Sequence, residues 1–193
     1  QTQSGQATQI NTLNSRFDSL AVGGRNLLLG SAIAYSSTAY STRYALSQAP
    51  AVGDDVVITL WGELGTDRTG IGVYNTQGYN KIAQLVKIAD GIYQGRGKWQ
   101  KPMNGTTPRT PNDTHLNVYF YPNGATSQSR IDRIKLEKGA VATDWSPAPE
   151  DVDAQFVQTN ANISTLQQTV TNADNALSQR IDALDTAYKS ADT

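Results

Sequence analysis

The chain has 193 residues and no cysteine, a single histidine (His115) and a single methionine. Without cysteine there are no disulfides, thiolate nucleophiles, cysteine-ligated zinc or iron–sulfur clusters. One histidine cannot build a multi-histidine metal site, so no metal or other cofactor is expected. Charge is also scarce. Lys+Arg number 16 and Asp+Glu 17, together 17% of residues, for a net charge of −1, below the roughly 25% usual in soluble domains. A surface that neutralises phosphates or coats an anionic membrane needs a basic excess, so nucleic acid is not an expected partner. No apolar run approaches the roughly 18 residues needed to cross a bilayer, and no signal-peptide pattern opens the chain, so membrane insertion is not expected either. Ser, Thr, Asn and Gln fill the gap, at roughly a third of the chain. The chain starts at Gln1 and a helical pattern is still running at Thr193, which reads as an internal segment of a longer polypeptide.

Three zones follow. In residues 1–22, Ile10, Leu13, Phe17 and Leu20 are spaced three, four, three, a short a/d stripe that predicts an N-terminal coiled-coil segment. In residues 150–193 the pattern is longer: Val152, Phe156, Thr159, Ile163, Leu166, Val170, Ala173 and Leu177 keep a strict heptad. Ile181, Leu184 and Tyr188 resume it after an extra four-residue step, a stutter. Pro149 suits a first helical turn, and Glu150, Asp151 and Asp153 suit the positive end of the helix dipole. A stripe two positions wide per heptad does not stabilise a lone helix; it needs copies of itself, or else the central domain to fold back on. Ile163 and Val170 at a with Leu166 at d favour a parallel dimer, while Phe156, Ala173 and Leu177 dilute that preference. Spacing leaves two and three strands open.

Residues 23–149 alternate apolar with polar residues and are punctuated by Gly, Pro and Asn. Strands are expected at Tyr40–Leu46, Val56–Leu64, Gly70–Tyr74, Lys81–Ile88, Ile92–Gln100, Leu116–Tyr121 and Arg130–Glu137, with turns at 51–54, 75–78, Asp90-Gly91 and Asn123-Gly124. Short strands at that spacing predict an antiparallel sandwich or barrel.

Little in this zone suggests catalysis. Asp54, Asp55, Glu63, Asp67, Asp132 and Glu137 show no preferred pair of the kind glycoside hydrolysis needs. His115 has no nucleophile-elbow motif beside it. Gly95-Arg96-Gly97-Lys98 lacks phosphate-loop spacing and reads as a strand that another backbone approaches closely. The expectation is a non-enzymatic protein.

Two phrases frame the β zone: Arg25-Asn26-Leu27-Leu28-Leu29 opens it, and Ile134-Lys135-Leu136-Glu137-Lys138-Gly139 followed by Ala142-Thr143-Asp144-Trp145-Ser146-Pro147-Ala148-Pro149-Glu150-Asp151 closes it. Together they resemble modules of tailed-phage and prophage tail fibres and tail-tip (host-specificity, J-like) proteins, in which a jelly roll like a carbohydrate-binding module sits between coiled-coil segments. The resemblance implies a mainly β fold, a jelly-roll β-sandwich flanked by N- and C-terminal helical coiled coils. It also implies a homotrimer, a place in the virion among other tail proteins, and host attachment through a cell-surface glycan or outer-membrane receptor. The domains would be 1–22, 23–149 and 150–193, with Ile10, Leu13, Phe17, Leu20, Val152, Phe156, Ile163, Leu166, Val170, Leu177, Ile181 and Leu184 in the coil cores. Trp145 would seal the end of the sandwich. The alternative is a trimerisation and spacer module without a ligand.

The residues themselves offer one glycan-contact surface. Leu116, Val118 and Phe120 share one strand face and Asn117, Tyr119 and Tyr121 the other; Ile58 and Leu60 likewise oppose Thr59, Trp61 and Glu63. With the aliphatic faces inward, Trp61, Tyr119 and Tyr121 stand outward beside Glu63 and Asn117. Flat aromatics with hydrogen-bonding neighbours suit sugar rings; packing against the interior, the coil or a neighbouring chain is the alternative use.

Overall fold

The computed structural model describes residues 24–75, 80–101, 103–104, 107–108 and 113–191. In chain order the elements are β1 (Tyr35–Ser37), β2 (Ser41–Ala45), β3 (Asp55–Glu63), β4 (Gly70–Tyr74), β5 (Lys81–Ala89), β6 (Ile92–Lys98), β7 (Met103–Asn104), β8 (Thr107–Pro108), β9 (His115–Tyr121), β10 (Ser129–Lys138) and α1 (Pro149–Ala191). The seven anticipated strands all form, with ends shifted by at most two residues. The chain divides into two compact units after Asp151.

The β unit corrects the expected architecture. A jelly-roll sandwich has two separate sheets; here eight strands form one antiparallel sheet in the order β1-β10-β3-β6-β5-β4-β9-β2, curled into a half-barrel. Continuity comes from β5. At nine residues it is long enough to pair with β4 through its first half (Ile71↔Leu85, Val73↔Ala83) and with β6 through its second (Val86↔Gln94, Lys87↔Tyr93). Where β5 leaves β6, the two backbones come very close. A Cβ at Gly95 would lie 2.6 Å from the Gln84 carbonyl oxygen, and one at Gly97 would overlap that of Ile82. These two glycines make the corner of the curl possible, the close approach read from the sequence. Of the two expected flanking coils the structure describes one helix: α1 is the single helix among the described residues, and the N-terminal stripe of Ile10, Leu13, Phe17 and Leu20 lies outside them.

The core fills the inside of the curl. Val56, Ile58 and Leu60 of β3, Ile71 and Val73 of β4, Leu116, Val118 and Phe120 of β9, and Ile131, Ile134 and Leu136 of β10 are all buried in one cluster with Leu28 and Trp99. The curl brings the sheet's ends together: the rings of Tyr35 on β1 and Phe120 on β9 stack with centroids 6.3 Å apart.

The opening phrase bridges that gap. Leu27 N–H donates to the Leu136 carbonyl beside it on β10, and Leu29 N–H donates to the Ala45 carbonyl at the end of β2, both at 2.9 Å. Asn26, fully buried, ties this segment to the closing phrase. Its Nδ2 donates to Ser31 Oγ at 2.8 Å, the Ser146 carbonyl at 3.0 Å and, at 3.3 Å, the Ile134 carbonyl. Its Oδ1 accepts from the N–H groups of Leu28 (3.1 Å) and Leu136 (3.3 Å).

The closing phrase then lies along the outer face of β10. Lys135 and Glu137, both buried, form an ion pair at 3.4 Å. Thr143 satisfies both, accepting from Lys135 Nζ at 2.6 Å and donating its hydroxyl to Glu137 Oε2 at 2.7 Å. Trp145 is half-buried and stacks on Arg133, so it covers the outside of the sheet and is absent from the core cluster it was expected to seal. Glu150, paired with Arg25, and Asp151, which accepts the Gly30 N–H at 2.9 Å, complete this unit.

In α1, 43 residues long and so about 65 Å, no residue is buried. The predicted stripe stands open, with Phe156, Ile163, Leu166, Val170, Leu177, Ile181 and Leu184 all exposed and Val152 half-exposed.

Candidate functional site

Four neighbouring elements of the curl build an aromatic outer face. Because pairing is in register, side chains on this face fall in rows across the strands. Arg43 on β2, Asn117 on β9, Tyr74 on β4 and Lys81 on β5 form one row. Ser41, Tyr119, Gly72 and Gln84 form the next, and Tyr121 and Gly70 the one after. Gly72 leaves the centre open, and the rings lie over it: a Cβ there would meet Tyr121 Cε2 at 2.9 Å and Tyr74 Cε2 at 3.1 Å. Tyr119 makes edge contacts with Tyr40, just before β2, at 5.3 Å between centroids and with Tyr74 at 5.1 Å; Tyr40 also meets Tyr121, at 5.7 Å. The Tyr74 and Tyr121 hydroxyls share a 2.6 Å hydrogen bond. Burial first, then that hydrogen bond, hold the Tyr121 phenol well above its ordinary range, so it stays protonated. Lys81 Nζ sits 5.6 Å from the Tyr121 ring centroid and 5.9 Å from that of Tyr74, and it donates to Gln84 Oε1 at 2.9 Å.

Of the five residues expected to make a glycan surface, Asn117, Tyr119 and Tyr121 belong to this face, half-buried and outward as their alternation requires. Trp61 and Glu63 do not. They are on β3, separated from β9 in the sheet by β6, β5 and β4. Trp61 faces outward over β10, with the Arg133 guanidinium 4.9 Å from its centroid, and Glu63 pairs with Arg130 at 3.5 Å. Arg133 is thus held between Trp61 and Trp145, which explains Trp61 by packing. Sequence reading missed Tyr40, Arg43, Tyr74 and Lys81. The Gly70-x-Gly72-x-Tyr74 alternation carried a signal: two glycines and a tyrosine on one strand face leave room for rings from a neighbour.

The carboxylates considered for catalysis are dispersed and engaged. Asp54 pairs with Lys138 at 2.7 Å, Asp55 with Lys98 at 2.8 Å, Asp132 with Arg130, and Glu137 with Lys135. Asp67 accepts the Thr126 N–H at 2.6 Å and the Ser127 hydroxyl. His115 Nδ1 lies 2.8 Å from the Thr114 hydroxyl. Among the described residues no three His, Cys, Asp or Glu side chains group as a metal site would require, and no helix is long and apolar enough to cross a membrane.

No protein-family model and no curated protein matches the chain. Among solved structures, it is similar to the tripod (BppUct-A-L) from the baseplate of bacteriophage Tuc2009, with 12% identity and a TM-score of 0.39 over 66% of this chain and 60% of that one. A second similarity, to AvmM, which catalyses macrocyclization in alchivemycin A biosynthesis, has 12% identity and a TM-score of 0.18 over 66% of this chain and 93% of that one. At these TM-scores neither similarity establishes a shared fold.

Proposed function

We propose that the chain is a non-enzymatic segment of a phage tail fibre or tail-tip protein, assembled as a homotrimer in the virion and acting in host-cell attachment. The observation that carries this reading is the open heptad stripe of α1. Seven large apolar side chains on one stripe are exposed, and a helix of this length without a packed face is marginal in water. Copies of the same helix cover such a stripe most simply, and self-associating coils are what the framing phrases imply for a fibre. In a trimer, the tyrosine face would be presented three times around one axis. Weak glycan contacts there gain avidity, so none needs to be tight alone.

A specific observation supports the spacer reading as well: the four tyrosines pack edge-on against one another, two of them joined through their hydroxyls, so the face is already packed without a ligand.

Two measurements test the proposal. The first is solution mass by light scattering on the full chain and on one ending at Asp151, which keeps the contacts of Glu150 and Asp151. A trimer that becomes a monomer on truncation is expected; a monomer in both removes the coil. The second is competition with phage adsorption. The purified trimer should bind host cells and reduce adsorption, and a well-folded trimer that does neither leaves the spacer reading in its place.

A further inference from the structure

Charge is distributed very unevenly over the sheet. On β3, β6 and β10 most cations have a carboxylate partner: Lys98 with Asp55, Arg130 with Glu63 and Asp132, Lys135 with Glu137, and Lys138 with Asp54; Arg96 donates to the Ala140 carbonyl instead, and Arg133 lies between two tryptophan rings. The tyrosine-bearing part has no such matching. The sequences of β2 (STRYA), β4 (GIGVY) and β9 (HLNVYFY) contain no Asp or Glu, and neither does the first half of β5 (KIAQL). Yet Arg43 and Lys81 stand there, exposed, and among the described residues neither enters an ion pair. Among the described residues, Lys81 is held by the Gln84 amide oxygen and the faces of two tyrosine rings.

We propose that this face binds an acidic glycan, an oligosaccharide whose sugars carry carboxylates, with Tyr119 and Tyr121 stacking on sugar rings and Arg43 and Lys81 meeting the carboxylates. This rests on the attachment reading above and names the class of glycan. Three features select that occupant. Aromatic faces take the apolar C–H surface of a pyranose. Without a carboxylate on these strands, an anion meets no like charge on them, whereas on β3 or β10 it would compete with carboxylates already in place. Guanidinium and ammonium groups form their strongest hydrogen bonds with carboxylate oxygens. Arg43 and Lys81 stand at opposite ends of one row, three strand steps or roughly 14 Å apart. They therefore meet different sugars, and the ligand is an oligosaccharide, not a single sugar.

The test is titration calorimetry on the full chain with a polygalacturonate hexamer, maltohexaose as the neutral probe of equal length, and galacturonic acid as the monomer. The acidic hexamer should bind, maltohexaose at least tenfold more weakly, and the monomer not measurably. Arg43→Gln and Lys81→Gln, at exposed positions where folding is unaffected, should each weaken the acidic hexamer roughly tenfold, and raising salt should weaken it further. Tyr119→Ala should weaken both hexamers, and Trp61→Ala neither. Equal affinity for the two hexamers, or binding of the acidic one unchanged in both glutamine variants, overturns the acidic assignment. A wild-type chain that binds cells but neither hexamer also overturns it, while leaving attachment standing. Failure to bind cells at all sinks the attachment reading instead.

Discussion

Asn26 to alanine is the most informative single change in the β unit. Asn26 is fully buried, and it has two donor hydrogens and a carbonyl oxygen with two lone pairs. The donors serve two of three acceptors within reach, Ser31 Oγ and the Ser146 carbonyl being the nearer; the oxygen accepts from Leu28 and Leu136. Alanine removes four hydrogen bonds at once: the two that Asn26 donates contribute about 1 kcal/mol net each, and the two N–H groups that lose its oxygen are left buried and unpaired at about 1–3 kcal/mol apiece. The expected loss is about 4–8 kcal/mol, a large part of the roughly 5–15 kcal/mol by which domains are stable. Urea denaturation of the full chain, followed by tryptophan fluorescence, measures it. Ser31→Ala, which removes only one of these contacts, should cost about 1 kcal/mol. Asn26→Ala within about 1.5 kcal/mol of the wild type at unchanged m-value would refute the reasoning and show that apolar packing alone joins the opening and closing phrases.

Other consequences can be checked in the same assay. Lys135→Met leaves Glu137 buried with an uncompensated charge and should cost roughly 3–5 kcal/mol, while Lys135→Met with Glu137→Leu should recover most of it; a double variant as unstable as the single one would contradict this. Gly97→Ala, whose new Cβ meets backbone that cannot step aside, should cost more than about 3 kcal/mol. Gly53→Ala, with φ +94° but open space around it, should cost only about 1 kcal/mol, and similar costs at the two positions would refute the corner assignment. The Ser127 hydroxyl first, and then the Thr126 N–H, hold the Asp67 carboxyl well below the usual carboxylate range. Its contribution is therefore complete above the unfolded value near pH 4 and lost as pH falls toward the lower folded value. Asp67→Asn should flatten the acid limb of the stability–pH profile below about pH 4, and an unchanged limb would discount the interaction.

The alternation of side chains made the strands legible, because facing the core imposes a period of two whatever the sheet becomes. Leu116, Val118 and Phe120 go inward and Asn117, Tyr119 and Tyr121 outward, as read. That period says nothing about curvature. "Outward" on β3 and "outward" on β9 are opposite sides of a curled sheet, so Trp61 and Tyr119 cannot share a surface although the same rule places both. The curl depends on β5 pairing with two neighbours in turn, and only Gly95 and Gly97 hinted at it. Outward did not mean solvated either: Lys135 and Glu137 alternate away from the core, yet residues 143–145 fold over them, and Trp145 joins that cover. What can be read without topology is composition strand by strand. The absence of Asp and Glu from β2, β4 and β9 is visible in the sequence, but it gains meaning only once the order β4-β9-β2 makes those strands neighbours and their scattered tyrosines and two cations become one surface.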